Sequence, residues 1–235
     1  MKGFDHVIQA PFHIVQQEDF HLKRQWAKAF FKNSNSLILE LGCGKGEYTV
    51  ELAAKNPDTN YIGVDIKGAR LWRGAKLALQ QGLKNVAFLR TNIELIPQFF
   101  GENEVDEIWL TFPDPQMRKA RKRLTSTTFL NKYRNFLKTG GIVHLKTDSN
   151  FQYNYTREMA LLNKFEILAD TDNLYEWEHL TDILQIKTFY EKQWLDRGIT
   201  IKYIAFKPHN GDLLEPNIEI EKDEYRSFGR SARDL

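Results

Sequence analysis

Apolar residues in this chain fall into short continuous runs, separated by stretches in which they recur at helical spacing. The runs at 36–41, 61–66, 86–91, 105–112 and 142–147 are bounded by turn residues. Runs of this length predict strands buried on both faces of a mainly parallel sheet. The intervening stretches 47–56, 68–81 and 127–138 predict helices, and Gly140-Gly141 reads as the C-terminal stop of the last. Beyond 147 come a polar helical stretch at 153–163 and two further strand-like runs, 165–169 and 199–206, which predict an antiparallel pair at one edge. Repeated strand–helix units call for an α/β doubly wound fold: a mainly parallel seven-stranded sheet with an antiparallel last strand and helices on both faces. The chain, 1–235, reads as a single Rossmann-like domain. A helical extension is expected over about 1–33, with an amphipathic helix at 20–31. A polar, loosely held tail is expected over about 210–235.

Composition narrows the class. The chain has 235 residues, 42% hydrophobic and 27% charged, as in a globular domain with a full core. Its formal net charge is only +2, so attraction for nucleic acid has to come from local clustering. One cysteine, Cys43, allows no intramolecular disulfide, and a reducing compartment is expected. No charged-then-apolar signal opens the chain, and no apolar run approaches the ~20 residues of a membrane span. A cytoplasmic protein is expected. The six histidines show no metal-ligand spacing, so no metal site is expected.

Two segments carry candidate chemistry. The first is Glu40-Leu41-Gly42-Cys43-Gly44-Lys45-Gly46, between a predicted strand and a predicted helix. Gly42, Gly44 and Gly46 allow a sharp turn and close approach of a ligand, and the helix N-terminus behind them suits a polar group. The spacing is G-x-G-x-G, which departs from the dinucleotide fingerprint. Glu40 before the loop would repel pyrophosphate but favour a cation such as the ammonium and sulfonium of S-adenosylmethionine. Asp65 ends the next strand, where a carboxylate can accept ribose hydroxyls.

The second segment is Thr111-Phe112-Pro113-Asp114-Pro115, followed at 118–123 by five cations in six residues. An acid held between prolines at a strand end is a poor packing element. With dense positive charge beside it, it reads as the edge of an active site next to a polyanion contact.

Together these segments resemble the tRNA (guanine-N7)-methyltransferase family of Rossmann-like, S-adenosylmethionine-dependent enzymes. Leu145-Lys146-Thr147-Asp148 and Thr188-Phe189-Tyr190-Glu191 also match its pattern, and the likeness runs from about 20 to 206. The resemblance implies methyl transfer to N7 of a guanine in the variable loop of tRNA; a monomer or homodimer is expected. It implies that Glu40, Gly42, Gly44, Gly46, Asp65 and Asn92 hold the cofactor and that Asp114 lies at the reaction centre, touching guanine, cofactor or both. It implies further that Arg118, Asp148, Thr188 and Glu191 contact the substrate, and that Lys119, Arg121, Lys122 and Arg123 meet the RNA backbone. Gln116 stands where the family commonly has Trp, and Arg118 where it often has Lys.

Plainer readings compete for several residues. Cys43 reads as a small filler and Trp109 as core. Lys67, Arg70, Arg73 and Lys76 recur every third residue of a predicted helix, a pattern typical of a solvated face. Asp148 alone could serve as the N-terminal cap of the helix at 153–163. Two other functions remain open: an amino methyltransferase acting on a base or protein, and a non-enzymatic RNA-binding module on a nucleotide fold.

Overall fold

The computed structural model describes residues 3–11, 15 and 17–225. Among them, eight strands form one sheet: β1 (Val7–Gln9), β2 (Leu37–Leu41), β3 (Asn60–Asp65), β4 (Val86–Arg90), β5 (Val105–Thr111), β6 (Leu137–Thr147), β7 (Glu166–Thr171) and β8 (Lys202–Lys207). Their spatial order is β1-β4-β3-β2-β5-β6-β8-β7. All neighbours pair in parallel except β8, which is antiparallel to both β6 and β7. The doubly wound fold with an antiparallel last strand is thus the one expected, widened by β1.

The five central helices are α1 (Glu47–Lys55), α2 (Gly68–Gln80), α3 (Thr127–Tyr133), α4 (Asn150–Leu162) and α5 (Phe189–Asp196). Two apolar layers cover the sheet. One gathers Leu39, Leu41, Ile62, Val64, Leu110, Phe136 and Leu145. The other gathers Tyr48, Val50, Leu71, Phe88, Trp109 and Tyr203. Trp109 is core, as expected: it is 4% exposed and stacks on His144 with centroids 4.0 Å apart.

Four expectations are corrected. The N-terminal segment is not simply helical. Val7–Gln9 adds a parallel edge strand to β4, and the helix expected over 20–31 is confined to Trp26–Phe31. Glu104 receives the backbone N–H groups of Arg24 and Trp26 at 2.7 and 3.0 Å, fixing the approach to that short turn. Gly140-Gly141 does not stop a helix. α3 closes by Arg134, and the glycine pair lies inside β6, where Gly140 has φ +78° and a Cβ on Gly141 would meet Leu137 at 2.7 Å. The helix after β6 starts at Asn150 and is capped by Ser149, not Asp148: the Ser149 hydroxyl accepts the Gln152 N–H at 2.9 Å.

The tail is not loose up to its last described residues. Leu214 N–H donates to Asn163 at 2.7 Å, and Glu215 accepts from the Thr127 hydroxyl at 2.7 Å. Asp223 is buried, accepting the Ser149 hydroxyl and, at 3.1 Å, the Phe151 N–H. The rest of the expected tail, 226–235, lies outside the described residues.

Candidate active site

β2 has β3 on one side and β5 on the other, so the direction of winding reverses there. In open α/β sheets the crevice beyond the strand ends at such a point is where ligands sit. The glycine loop leaves β2 at this place. Gly42, Gly44 and Gly46 have φ values of +82°, +57° and +70°, a region that L side chains rarely adopt. Gly46 is needed for packing as well, because a Cβ there would lie 2.5 Å from the Phe88 ring. A Cβ on Gly42 or Gly44 would meet nothing closer than 4.0 Å, so the loop backbone is open above these two.

Both acids are buried, Asp65 at 8% exposed. Glu40 is 3% exposed and accepts hydrogen bonds from the hydroxyls of Thr49 and Thr111, one on each oxygen. Burial pushes its carboxyl up to about 7, against the opposing pull of the Thr111 and Thr49 hydroxyls. Glu40, expected to hold the cofactor, thus also braces β2, α1 and β5 from beneath the loop. Asp65 closes β3 and binds the loops on both sides, accepting Gly44 N–H at 3.0 Å and Lys67 N–H at 2.7 Å. Ile66 follows it as a 57% exposed apolar side chain. Asn92 is exposed beyond the end of β4 and caps a short 3-10 turn by accepting Glu94 N–H at 3.0 Å. An open loop backbone, a strand-end carboxylate and an uncovered apolar side chain beside it fit a ribose-bearing, planar-ringed cofactor.

Asp114 is exposed three residues after Thr111, whose hydroxyl touches Glu40. The Pro113 and Pro115 flanks are buried, and Asp114 accepts the Gln116 N–H at 3.0 Å. Phe112 and Gln116 bracket the turn with φ values of +50° and +47°, conformations that non-glycine residues hold only when surroundings enforce them. The enforcement is visible. Phe112 N–H donates to the Lys146 carbonyl at 2.8 Å, while the Arg123 guanidinium donates to the carbonyls of Gln116 at 3.4 Å and Met117 at 3.2 Å. Arg123 itself is packed against the rings of Phe151 and Tyr155, 4.7 and 4.3 Å from their centres.

The basic run is thus not a uniform surface. Lys122 pairs with Glu94 and Arg123 is a clamp on the acidic turn, whereas Arg118, Lys119 and Arg121 are exposed. Asp148 is fully buried, with Tyr225 OH donating to its carboxylate at 3.1 Å. Thr188 and Glu191 form a capping box at the start of α5. Glu191 is fully buried, 2.8 Å from Lys146 Nζ, and takes the Tyr175 hydroxyl as well. Burial lowers the Lys146 ammonium to about 8, while Glu191 resists that shift. Asp148 and Glu191, expected to contact the substrate, are thus already engaged within the fold.

The pair Glu191–Lys146 instead anchors α5, whose first two residues, Phe189 and Tyr190, are half-exposed with Lys45 of the glycine loop 4.2 and 4.9 Å from their ring centres. The aromatic pair, Ile66, Thr49, Thr111 and Lys146 were not singled out from sequence. Only Ile66, an apolar residue directly after a strand-end acid, left a readable signal. Among the described residues, no cluster of His, Cys, Asp and Glu could hold a metal, and no helix is long and apolar enough to cross a membrane.

A switch-point crevice with this loop and these strand-end acids defines a Rossmann-like methyltransferase. The family model "Putative methyltransferase" matches residues 34–204. In fold the chain is similar to the 16S rRNA methyltransferase KamB, with TM-score 0.60 and 14% identity over 82% of this chain and 96% of that one. In sequence it is 58% identical to the tRNA (guanine-N(7)-)-methyltransferase of Bacteroides fragilis, over 99% of this chain and 93% of the relative. It is 54% identical to that of Porphyromonas gingivalis, over 99% and 98%. The chain belongs to the tRNA (guanine-N(7)-)-methyltransferase family.

Proposed function

We propose that this protein transfers a methyl group from S-adenosylmethionine to N7 of a guanine in the variable loop of tRNA. The observation that carries the reading is the linkage of the exposed Asp114 to the glycine-loop crevice through the Thr111–Glu40 hydrogen bond, in a chain of this family. When bound, the cofactor supplies an electrophilic methyl on a sulfonium. Asp65 would take its ribose hydroxyls, the open space above Gly42 and Gly44 would admit its polar end, and Ile66 and Asn92 would meet the purine.

Guanine N7 is an unprotonated acceptor, so no base has to remove a proton before attack. The protein's task is placement, worth roughly 7–11 kcal/mol of barrier when reacting atoms are held in line. Asp114 would accept hydrogen bonds from the guanine N1–H and amino group and stabilise the positive charge that develops on the purine. Arg118, Lys119 and Arg121 would meet RNA phosphates. Thr188, Glu191 and Lys146 act at one remove, holding the start of α5 beside the loop. The tRNA base has to leave its stack to reach the crevice.

Incubation with methyl-labelled S-adenosylmethionine and unmodified tRNA, followed by nucleoside analysis, tests the reading. 7-Methylguanosine is expected. Label on an exocyclic amine, or no label, would overturn it.

A further inference from the structure

The outer surface of α2 carries cations that pair with no acid among the described residues. Lys67, Arg70, Arg73 and Lys76 recur every three residues and so follow one row of the helix surface, about 14 Å long at the α-helical rise. All four are exposed. Among the described residues, none of them enters an ion pair. α2 contains no Asp or Glu with which to form one.

The local energetics run against the pattern. Like charges three apart on a helix repel. Lys67 and Arg70 sit at the N-terminal end, where the helix dipole is already positive and no acid occupies the first turn. An anion laid along the row reverses both effects. Trp72 adds a 44% exposed ring, with Lys76 Nζ 5.3 Å from its centre.

Position identifies the anion. The row begins at the crevice, because Lys67 N–H donates to Asp65 and only Ile66 lies between them. The exposed part of the basic run follows β5, on the other side of β2 from β3. The crevice therefore has unpaired cations rising from its β3 flank and a second cationic stretch on its β5 flank. A chain of phosphates entering the crevice would touch both.

We propose that the α2 row is a second RNA-phosphate contact surface, which grips tRNA on the β3 flank of the crevice. The proposal rests on the reading of tRNA as the substrate.

Replacing Arg70, Arg73 and Lys76 together by Ala tests it. These side chains lie off the buried face formed by Leu71, Gly74, Ala75 and Ala78, and Ala is a good helix former. tRNA affinity is measured at several KCl concentrations for the wild type, this triple variant and the charge-keeping Arg70→Lys/Arg73→Lys double variant. S-adenosylmethionine affinity and steady-state methylation are measured alongside. The triple variant is expected to flatten the log–log salt slope by about two and to raise KM for tRNA at least about tenfold, because each lost phosphate contact removes about 0.7–0.9 from the slope. Its kcat and cofactor affinity should hold, and the double variant should keep the wild-type slope. Coincident salt lines for wild type and triple variant, with the wild type still methylating tRNA, would overturn this proposal and leave the substrate reading standing. A flattened slope in the double variant would overturn it too, since charge is conserved there. A wild type that neither binds nor methylates tRNA would sink both.

Discussion

The two cationic regions of this protein differ in a way that their sequences conceal. The run at 118–123 is dense: five cations in six residues. The α2 row is sparse: four cations over ten residues, from the N-cap of α2 into the helix. In three dimensions the ranking changes. The dense run gives Lys122 to Glu94 and Arg123 to the carbonyls of the acidic turn, while all four cations of the sparse row stay exposed and without an ion-pair partner among the described residues. Linear charge density measures how strongly side chains repel in the unfolded chain. Availability to a partner depends on which acids and carbonyls the fold brings up against them. Part of the dense run is therefore scaffold for the acidic turn, and the sparse row is exposed to solvent.

That division breaks if the turn held by the dense run does not carry the chemistry. Asp114→Asn is expected to lower kcat by about 100- to 1,000-fold, the scale of one lost transition-state contact, with tRNA and cofactor affinities little changed. Single-turnover methylation measures this. A near-normal rate would make Asp114 structural and the whole turn a packing device.

The acids at the crevice are both buried, but they hold different things: Glu40 bonds two hydroxyls from α1 and β5, and Asp65 bonds the backbone beyond the strand ends. The folded Glu40 carboxyl titrates near 7 against an ordinary 4.5, so the folded state holds that proton more tightly than the unfolded chain does. Its contribution is complete below about pH 4.5 and is lost as pH rises through about 7. Across that window the wild type should lose on the order of 2–3 kcal/mol relative to Glu40→Gln, followed by denaturant melts at each pH. Parallel stability curves would mean that Glu40 is ionised in the fold. Asp65→Ala, by contrast, should weaken S-adenosylmethionine by about 1.5–3 kcal/mol, the scale of lost charge-assisted hydrogen bonds. A calorimetric titration with unchanged affinity would remove Asp65 from the cofactor site.

Arg123 sharpens the contrast within the dense run. Arg123→Ala removes the guanidinium from the carbonyls of Gln116 and Met117, one of the contacts that enforce the turn, while the Phe112 N–H bond to the Lys146 carbonyl remains. We expect kcat at saturating tRNA to fall about tenfold as the acid drifts from its place, with a smaller change in the salt slope of binding than one full contact. A full-contact change in slope at unaltered kcat would return Arg123 to the RNA surface.

Much of this fold could be read before any coordinates. The strands β2 to β5 are apolar and short, and α-helices follow β2, β3 and β5, so period and length agree. β1 could not be read this way. Three residues carry no period, and they are a strand only because Phe88 N–H finds the His6 carbonyl at 2.8 Å, a contact 82 residues away in sequence. Gly140-Gly141 misled because a glycine pair has the same local meaning after a helix as in a bent strand. The site was legible where local backbone chemistry creates it: the glycine loop, Asp65 and the Pro-Asp-Pro turn. It was illegible where partners come from afar. Glu191 matches a family motif, but its burial against Lys146 and Tyr175 depends on segments 45 and 16 residues away.

The finest test lies inside the dense run, between adjacent residues. Lys122 and Arg121 have the same charge and lie side by side in sequence, yet among the described residues only Lys122 has an ion-pair partner, Glu94. That pair is exposed on both sides, so its contribution to stability is about 0–1 kcal/mol. If Glu94 already neutralises Lys122, Lys122→Ala should change the salt slope of tRNA binding by well under one contact, while Arg121→Ala should remove about 0.7–0.9. Glu94→Gln should then release Lys122 and steepen the slope slightly. Equal effects at 121 and 122 would show that RNA displaces Glu94, and that even an engaged cation in the dense run remains available to a polyanion.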